Sequence, residues 1–148
     1  MSEHIDFDRG LDGYWPPDAT PWVLVVDDDD LIRDVVRAVL EGDGYRVLEA
    51  EDGQEALRVL RDSDHPLVVL LDVRMPGLSG LDVIGEAAHD SHLAARCTFI
   101  LMTADLRAPQ PTLVPLLDQL HIPVVRKPFD LDDLLATVAQ ASERLLPS

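Results

Sequence analysis

The sequence predicts an α/β fold: a doubly wound, five-stranded parallel sheet with helices on both faces. Three observations predict it. Short β-branched runs alternate with helical patterns along most of the chain. Residues 23–26 and 67–71 are continuously apolar, as strands buried on both faces should be. The intervening stretches have the length of right-handed crossovers, which place helices on both sides of a sheet.

With 148 residues, 47% of them hydrophobic, the chain can bury one good core. Residues 1–21 are set apart: acidic, with Tyr14, Trp15, Pro16, Pro17 and Pro21, they read as an extended arm. The domain proper is expected over 22–146. Strands are expected at 22–26, 45–49, 67–71, 98–102 and 123–125. Ile32, Val35, Val36, Val39 and Leu40 have the spacing of an amphipathic first helix closed by Gly42. The second helix starts after Asp52-Gly53, with Ala56, Leu57 and Leu60 inward. The third, 81–88, follows the turn Pro76-Gly77 and the small pair Ser79-Gly80. Leu113, Leu116, Leu117 and Leu120 suggest a fourth, short and late-starting because Pro109, Pro111 and Pro115 crowd it. In the last helix Asp130 serves as N-cap, and Leu131, Leu134, Leu135, Val138 and Leu145 face the sheet.

Charge narrows the function. Against 28 acidic residues stand 12 basic ones, a net charge of −16. Nucleic-acid binding needs a basic stripe, and none is written here. The lone Cys97 reads as a buried structural thiol in a reducing compartment. Residues 1–10 lack the apolar core of a signal peptide, and no apolar run approaches a bilayer span. A soluble, cytoplasmic protein without membrane contact is expected.

The chemistry gathers at strand ends, where ligands bind in such sheets. The first apolar run meets Asp27-Asp28-Asp29-Asp30, the third meets Asp72, the fourth meets Thr103, and the fifth meets Lys127, the only lysine of the chain. In the flavodoxin-like strand order 2-1-3-4-5, strands one and three are neighbours, so Asp27, Asp28 and Asp72 can offer the hard oxygens that magnesium takes. Without a cation such carboxylates repel one another. Carboxylates form acyl phosphates, and Asp72 can serve as both ligand and nucleophile. A compact ammonium such as Lys127 suits a phosphate oxygen in a tight space, and the Thr103 hydroxyl can assist. There is no Walker motif.

Several stretches together resemble the receiver domain of two-component response regulators. They are residues 23–29 (VLVVDDD), 44–47 (GYRV), 50–57 (AEDGQEAL), 70–77 (LLDVRMPG) with Gly80, and 127–129 (KPF). The resemblance covers 22–146. It implies that Asp72 accepts a phosphoryl group from a sensor histidine kinase or phosphotransfer protein. It also implies that Asp28, Asp72 and the backbone carbonyl of Arg74 bind Mg2+, with Asp27 acting through water. Thr103 and Lys127 would contact the phosphoryl oxygens, and the Lys127–Pro128 bond would be cis. Arg74 and Asp105 fall at the family's lifetime-tuning positions. Two departures lie on the output surface: Val124 stands where an aromatic switch residue is common, and 104–120 is rich in proline.

Other readings stay open beside this one. Asp72, Lys127 and Thr103 can form a structural ion pair and strand-end cap, which would leave a pseudo-receiver that binds partners without phosphorylation. A magnesium-dependent phosphatase would need a second aspartate two residues past the nucleophile, where Arg74 stands. Asp29 or Asp30 is expected to cap the first helix, and Asp52-Gly53 reads as a turn and helix start, not as a catalytic aspartate. The acidic run is no calcium loop, since Leu31 and Ile32 break the pattern. His89 and His92 have helical spacing but lack further ligands, and His65 reads as a loop residue. With no basic recognition helix, output is expected through contacts with a downstream protein.

Overall fold

A computed structural model describes residues 21–63, 65–103, 122–127 and 130–145. Most of the expected arm, the expected fourth helix, Asp105 and the Lys127–Pro128 bond lie outside them.

The described residues form one parallel sheet in the order β2-β1-β3-β4-β5, the order the sequence predicts. The strands are β1 (Trp22–Val26), β2 (Val47–Ala50), β3 (Leu67–Asp72), β4 (Cys97–Thr103) and β5 (Val124–Arg126). Five helices accompany them: α1 (Asp30–Gly42), α2 (Gly53–Asp62), α3 (Gly80–Ala88), α4 (Ser91–Arg96) and α5 (Leu131–Leu145). Central β1 and β3 are buried on both faces, which is why their sequences run apolar without alternation. On one face, Val36 and Leu40 of α1 and Leu134, Val138 and Ala141 of α5 cover Val23, Val25, Val68 and Leu70. On the other, Ala56, Leu57 and Leu60 of α2, Val83, Ile84 and Ala87 of α3 and Leu93 of α4 cover Leu24, Val26, Val69 and Leu71. No helix among the described residues is long and apolar enough to cross a membrane.

Short polar side chains start each helix by accepting amide protons that have no partner within it. Asp29 receives those of Leu31 and Ile32, and Asp52 that of Glu55. Ser79 and Asp82 exchange bonds in a capping box. Asp130 accepts from the amides of Asp132 and Asp133. Of the two candidates for the first helix Asp29 is the cap, the expected cap at Asp130 is present, and the helix start expected at Asp52-Gly53 is capped by Asp52.

Some expectations are corrected. The second strand starts at Val47 rather than at residue 45, because the Tyr45 amide donates to the Leu40 carbonyl (3.1 Å) and closes α1. The last strand runs one residue later than expected and includes Arg126. Val35, expected inward, is 44% exposed, and Leu131, expected against the sheet, is 39% exposed. Both helices cover the sheet with a narrower stripe than the leucine and valine spacing suggests. Helix α4 was not anticipated; its six residues are too few for periodicity to register, although Asp90 caps it visibly. Cys97 is buried as expected, and burial pushes its thiol up to about 11.

Gly80 shows how tightly the end of β3 is held. A Cβ there would lie 2.5 Å from the Asp72 carbonyl oxygen, so only glycine lets α3 begin against the strand end. A Cβ at Gly42 meets nothing within 4 Å. Gly80→Ala is therefore expected to destabilise by about 1–3 kcal/mol, as overpacking does. Gly42→Ala, inside α1, should stabilise by roughly 0.5–1 kcal/mol. Urea unfolding of the two variants checks the pair; similar effects at both sites would contradict the close approach.

Candidate functional site

The sheet register brings the polar strand ends together. Val26 pairs with Leu71 and Asp72 with Met102, so Asp27 emerges level with Asp72, and Thr103 lies one step beyond. Thr103 pairs with Arg126, and its carbonyl accepts the Lys127 amide at 2.7 Å. Residues far apart in sequence thus converge at the carboxyl edge.

Lys127 reaches across that edge. Its Nζ donates to Asp27 Oδ2 at 2.7 Å and lies 3.5 Å from Asp72 Oδ2. The Asp27 side chain is 0% exposed, and its other oxygen accepts the Asp29 amide at 2.9 Å. Asp72 is also buried; its Oδ1 takes a long bond, 3.4 Å, from the Arg74 amide. Asp28 stands exposed at the rim. One carboxylate oxygen each from Asp27, Asp28 and Asp72 lie within 4.8 Å of one another, a donor set able to hold a metal ion.

Electrostatics follow from this geometry. Burial raises the Asp72 carboxyl to about 6; the nearby Asp27 charge adds to the rise, and Lys127 and the Arg74 amide oppose it. Burial pulls the Lys127 ammonium down, but its hydrogen bond to Asp27 and the charges of Asp72 and Asp27 outweigh that and raise it. Lys127 therefore stays charged while Asp72 titrates.

Of the residues singled out from the sequence, Asp27, Asp28, Asp72 and Lys127 converge directly, and Thr103 closes the neighbouring strand. Arg74 follows Asp72 with an exposed side chain. Asp105, the other of the two lifetime-tuning positions, lies outside the described residues. His89 Nδ1 donates locally to the Gly85 carbonyl (2.7 Å), and neither it nor His92 belongs to the acidic group that could hold a metal. His65 is a loop residue, as expected, and its ring stacks on Trp22 with centroids 4.5 Å apart. Val124, on the edge strand, is 43% exposed.

The sequence reading missed Arg33 and Glu49. Arg33 Nη1 donates to the Asp27 carbonyl at 2.7 Å, and its Nε to Glu49 at 3.3 Å. One signal could have found Arg33: a guanidinium in the first turn opposes the helix dipole and needs local acceptors.

A carboxyl whose pKa is raised on folding keeps its proton in the native state at a pH where the unfolded chain has lost it. Its contribution is neutral below about pH 4 and becomes destabilising as pH rises through 4 to 6. Asp72→Asn lacks that penalty. In metal-free buffer its melting temperature should exceed the wild type's at pH 7, with the gap closing toward pH 4. Thermal melts across that range test this, and a gap that stays constant with pH would contradict it.

Comparisons with known proteins agree with the geometry. A family model described as the response regulator receiver domain matches residues 23–139. The chain is 36% identical over 131 residues to the response regulator MprA of Mycolicibacterium vanbaalenii, covering 84% of this chain and 52% of that protein. It thus spans about half the length of that curated relative. A CheY-like response regulator receiver domain protein from Methanospirillum hungatei superimposes with a TM-score of 0.72 at 29% identity, covering 83% of this chain and 94% of that one. The chemotaxis protein CheY4 of Vibrio cholerae gives 0.71 at 27% identity, with 83% and 99% covered. Sequence family, strand order and strand-end chemistry meet in one conclusion: this chain belongs to the response regulator receiver domains of two-component signal transduction.

Proposed function

We propose that the receiver unit, residues 22–146, accepts a phosphoryl group on Asp72 from a sensor histidine kinase or phosphotransfer protein, in a magnesium-dependent reaction, and signals through protein contacts. The observation that carries this reading is the buried Asp27–Lys127–Asp72 cluster opening to solvent at Asp28. Three carboxylates face one ammonium there, an excess of negative charge that a divalent cation relieves. Hard oxygen donors and an exposed rim suit Mg2+, which keeps part of its water shell.

In this reading Asp28, Asp72 and the Arg74 backbone carbonyl hold the ion, with Asp27 acting through water. Bound magnesium would neutralise charge on the phosphoryl oxygens during transfer. The other tasks fall to the chain itself. A carboxylate oxygen of Asp72 attacks phosphorus, and the bond from phosphorus to the donor's imidazole nitrogen breaks as the imidazole departs. Lys127, held within reach of Asp72 by Asp27, takes up the charge of a phosphoryl oxygen, and the Thr103 hydroxyl donates to another. Asp72 must be ionised to attack, and the field of Lys127 favours that form.

The test is intact-protein mass spectrometry after incubation with acetyl phosphate and MgCl2. The expected outcome is one phosphate adduct that requires magnesium and is absent in Asp72→Asn. Continuous turnover of acetyl phosphate without an adduct would indicate a phosphatase, and no change would indicate a pseudo-receiver. Labelling that persists in Asp72→Asn would remove the assignment. Magnesium should also raise the melting temperature of the wild type by mass action on the native state. In Asp28→Asn that rise should shrink, while the metal-free melting temperature increases.

A further inference from the structure

Arg33 occupies an electrostatically awkward place. It lies in the first turn of α1, where the helix dipole disfavours cations. Yet its side chain is only 12% exposed and is held on three sides. Nη1 donates to the Asp27 carbonyl at 2.7 Å, Nε to Glu49 Oε1 at 3.3 Å, and Nη2 pairs with Asp30. Glu49 is in turn gripped by Arg37, which also pairs with Glu41 at 3.1 Å, so the anchor belongs to a network across α1 and β2.

At the Asp27 carbonyl this network touches the acidic site. β1 ends at Val26, so the sheet offers that carbonyl no continuing ladder. The carbonyl shares a rigid peptide plane with the Asp28 amide, so fixing its direction fixes the path by which the chain leaves Asp27. On the other side, the Asp27 amide donates to the Ala50 carbonyl at 3.2 Å, and Glu49 precedes Ala50 in β2. Asp27 is thus clamped to the end of β2 from both of its peptide bonds. Asp28, the exposed carboxylate of the cluster, is carried on the clamped peptide.

We infer that Arg33 is a positioning residue for the acidic cluster, its guanidinium fork fixing the Asp27–Asp28 peptide against Glu49 so that the carboxylates stand ready for a divalent cation. The inference rests on the proposed reading of the site as a magnesium site. It also makes a counterintuitive demand. If Arg33 acted only through its charge, removing it would relieve repulsion and tighten cation binding. A positioning role requires the opposite sign.

Isothermal titration with MgCl2, well below the melting temperature of each protein, decides between them. Arg33→Gln should weaken magnesium binding by about tenfold, the scale seen when groups that orient metal ligands are removed. Arg33→Lys keeps the charge but loses the fork, so its affinity should fall between the two. At saturating magnesium, phosphorylation of Arg33→Gln by acetyl phosphate should return to near the wild-type rate. Affinity unchanged or tighter in Arg33→Gln, even with a lower melting temperature, would mean that Arg33 merely anchors the helix. If Arg33→Gln fails to fold, Arg33→Lys carries the test, and a dissociation constant equal to the wild type's would overturn the inference. Absence of magnesium binding by the wild type itself is a separate result; it would overturn the reading of the site and this inference with it.

Discussion

The hydrogen-bonded ion pair between Lys127 and Asp27 spans the sheet from its last strand to its first, linking residues a hundred positions apart. A carboxylate with no solvent exposure is costly to keep ionised unless every oxygen finds a partner. Here Lys127 serves one oxygen and the Asp29 amide the other. That same ammonium lies 3.5 Å from Asp72, so the pair also sets the field in which the neighbouring carboxyl titrates. Removing Lys127 would leave Asp27 buried without its counter-charge, whereas removing Asp27 would still leave Lys127 beside Asp72.

Around this pair the molecule divides its acidic groups by burial. Asp27 is sealed, Asp72 is mostly covered, and Asp28 faces water. The gradient follows from position: β1 and β3 are flanked by strands on both sides and by helices on both faces, whereas Asp28 begins the turn into α1. Among the described residues, Asp28 is the exposed member of the acidic group. The rim is shaped by Asp29, which caps α1, and by Gly80, which lets α3 start against the Asp72 carbonyl. Arg33 braces the same loop from beneath, through the Asp27 carbonyl.

Response regulators interact with histidine kinases and downstream effectors, and the described surface of this chain carries several exposed apolar side chains. Leu31 and Val35 of α1 are 71% and 44% exposed, and Leu131 at the start of α5 is 39% exposed. On β5 the exposed position 124 carries a valine, whose branched side chain is stiff about its first torsion. It is too short to swing as an aromatic ring does, so signalling through this edge would need another mobile group. The curated relative MprA is about twice as long as the stretch matched here, so its further parts have no counterpart in the comparison.

Much of this was legible in the amino-acid order. The uninterrupted apolar runs at 23–26 and 67–71 required strands buried on both faces, and hence a parallel sheet with helices on either side. The polar residues that end those runs announced a polar cluster at the carboxyl edge, and an aspartate cap ahead of the first and last helical patterns was readable from the short acidic side chains there. Tertiary structure alone decided the rest. Periodicity could not tell that Val35 and Leu131 face solvent, because the width of a buried helix stripe depends on what packs against it. Nor could it show that Lys127 rests on Asp27 at 2.7 Å rather than on Asp72, a preference settled by distances across four strands. Arg33 escaped notice for the same reason. Its partners, a backbone carbonyl just past the end of β1 and Glu49 in β2, are brought to it only when β1 and β2 pair in register.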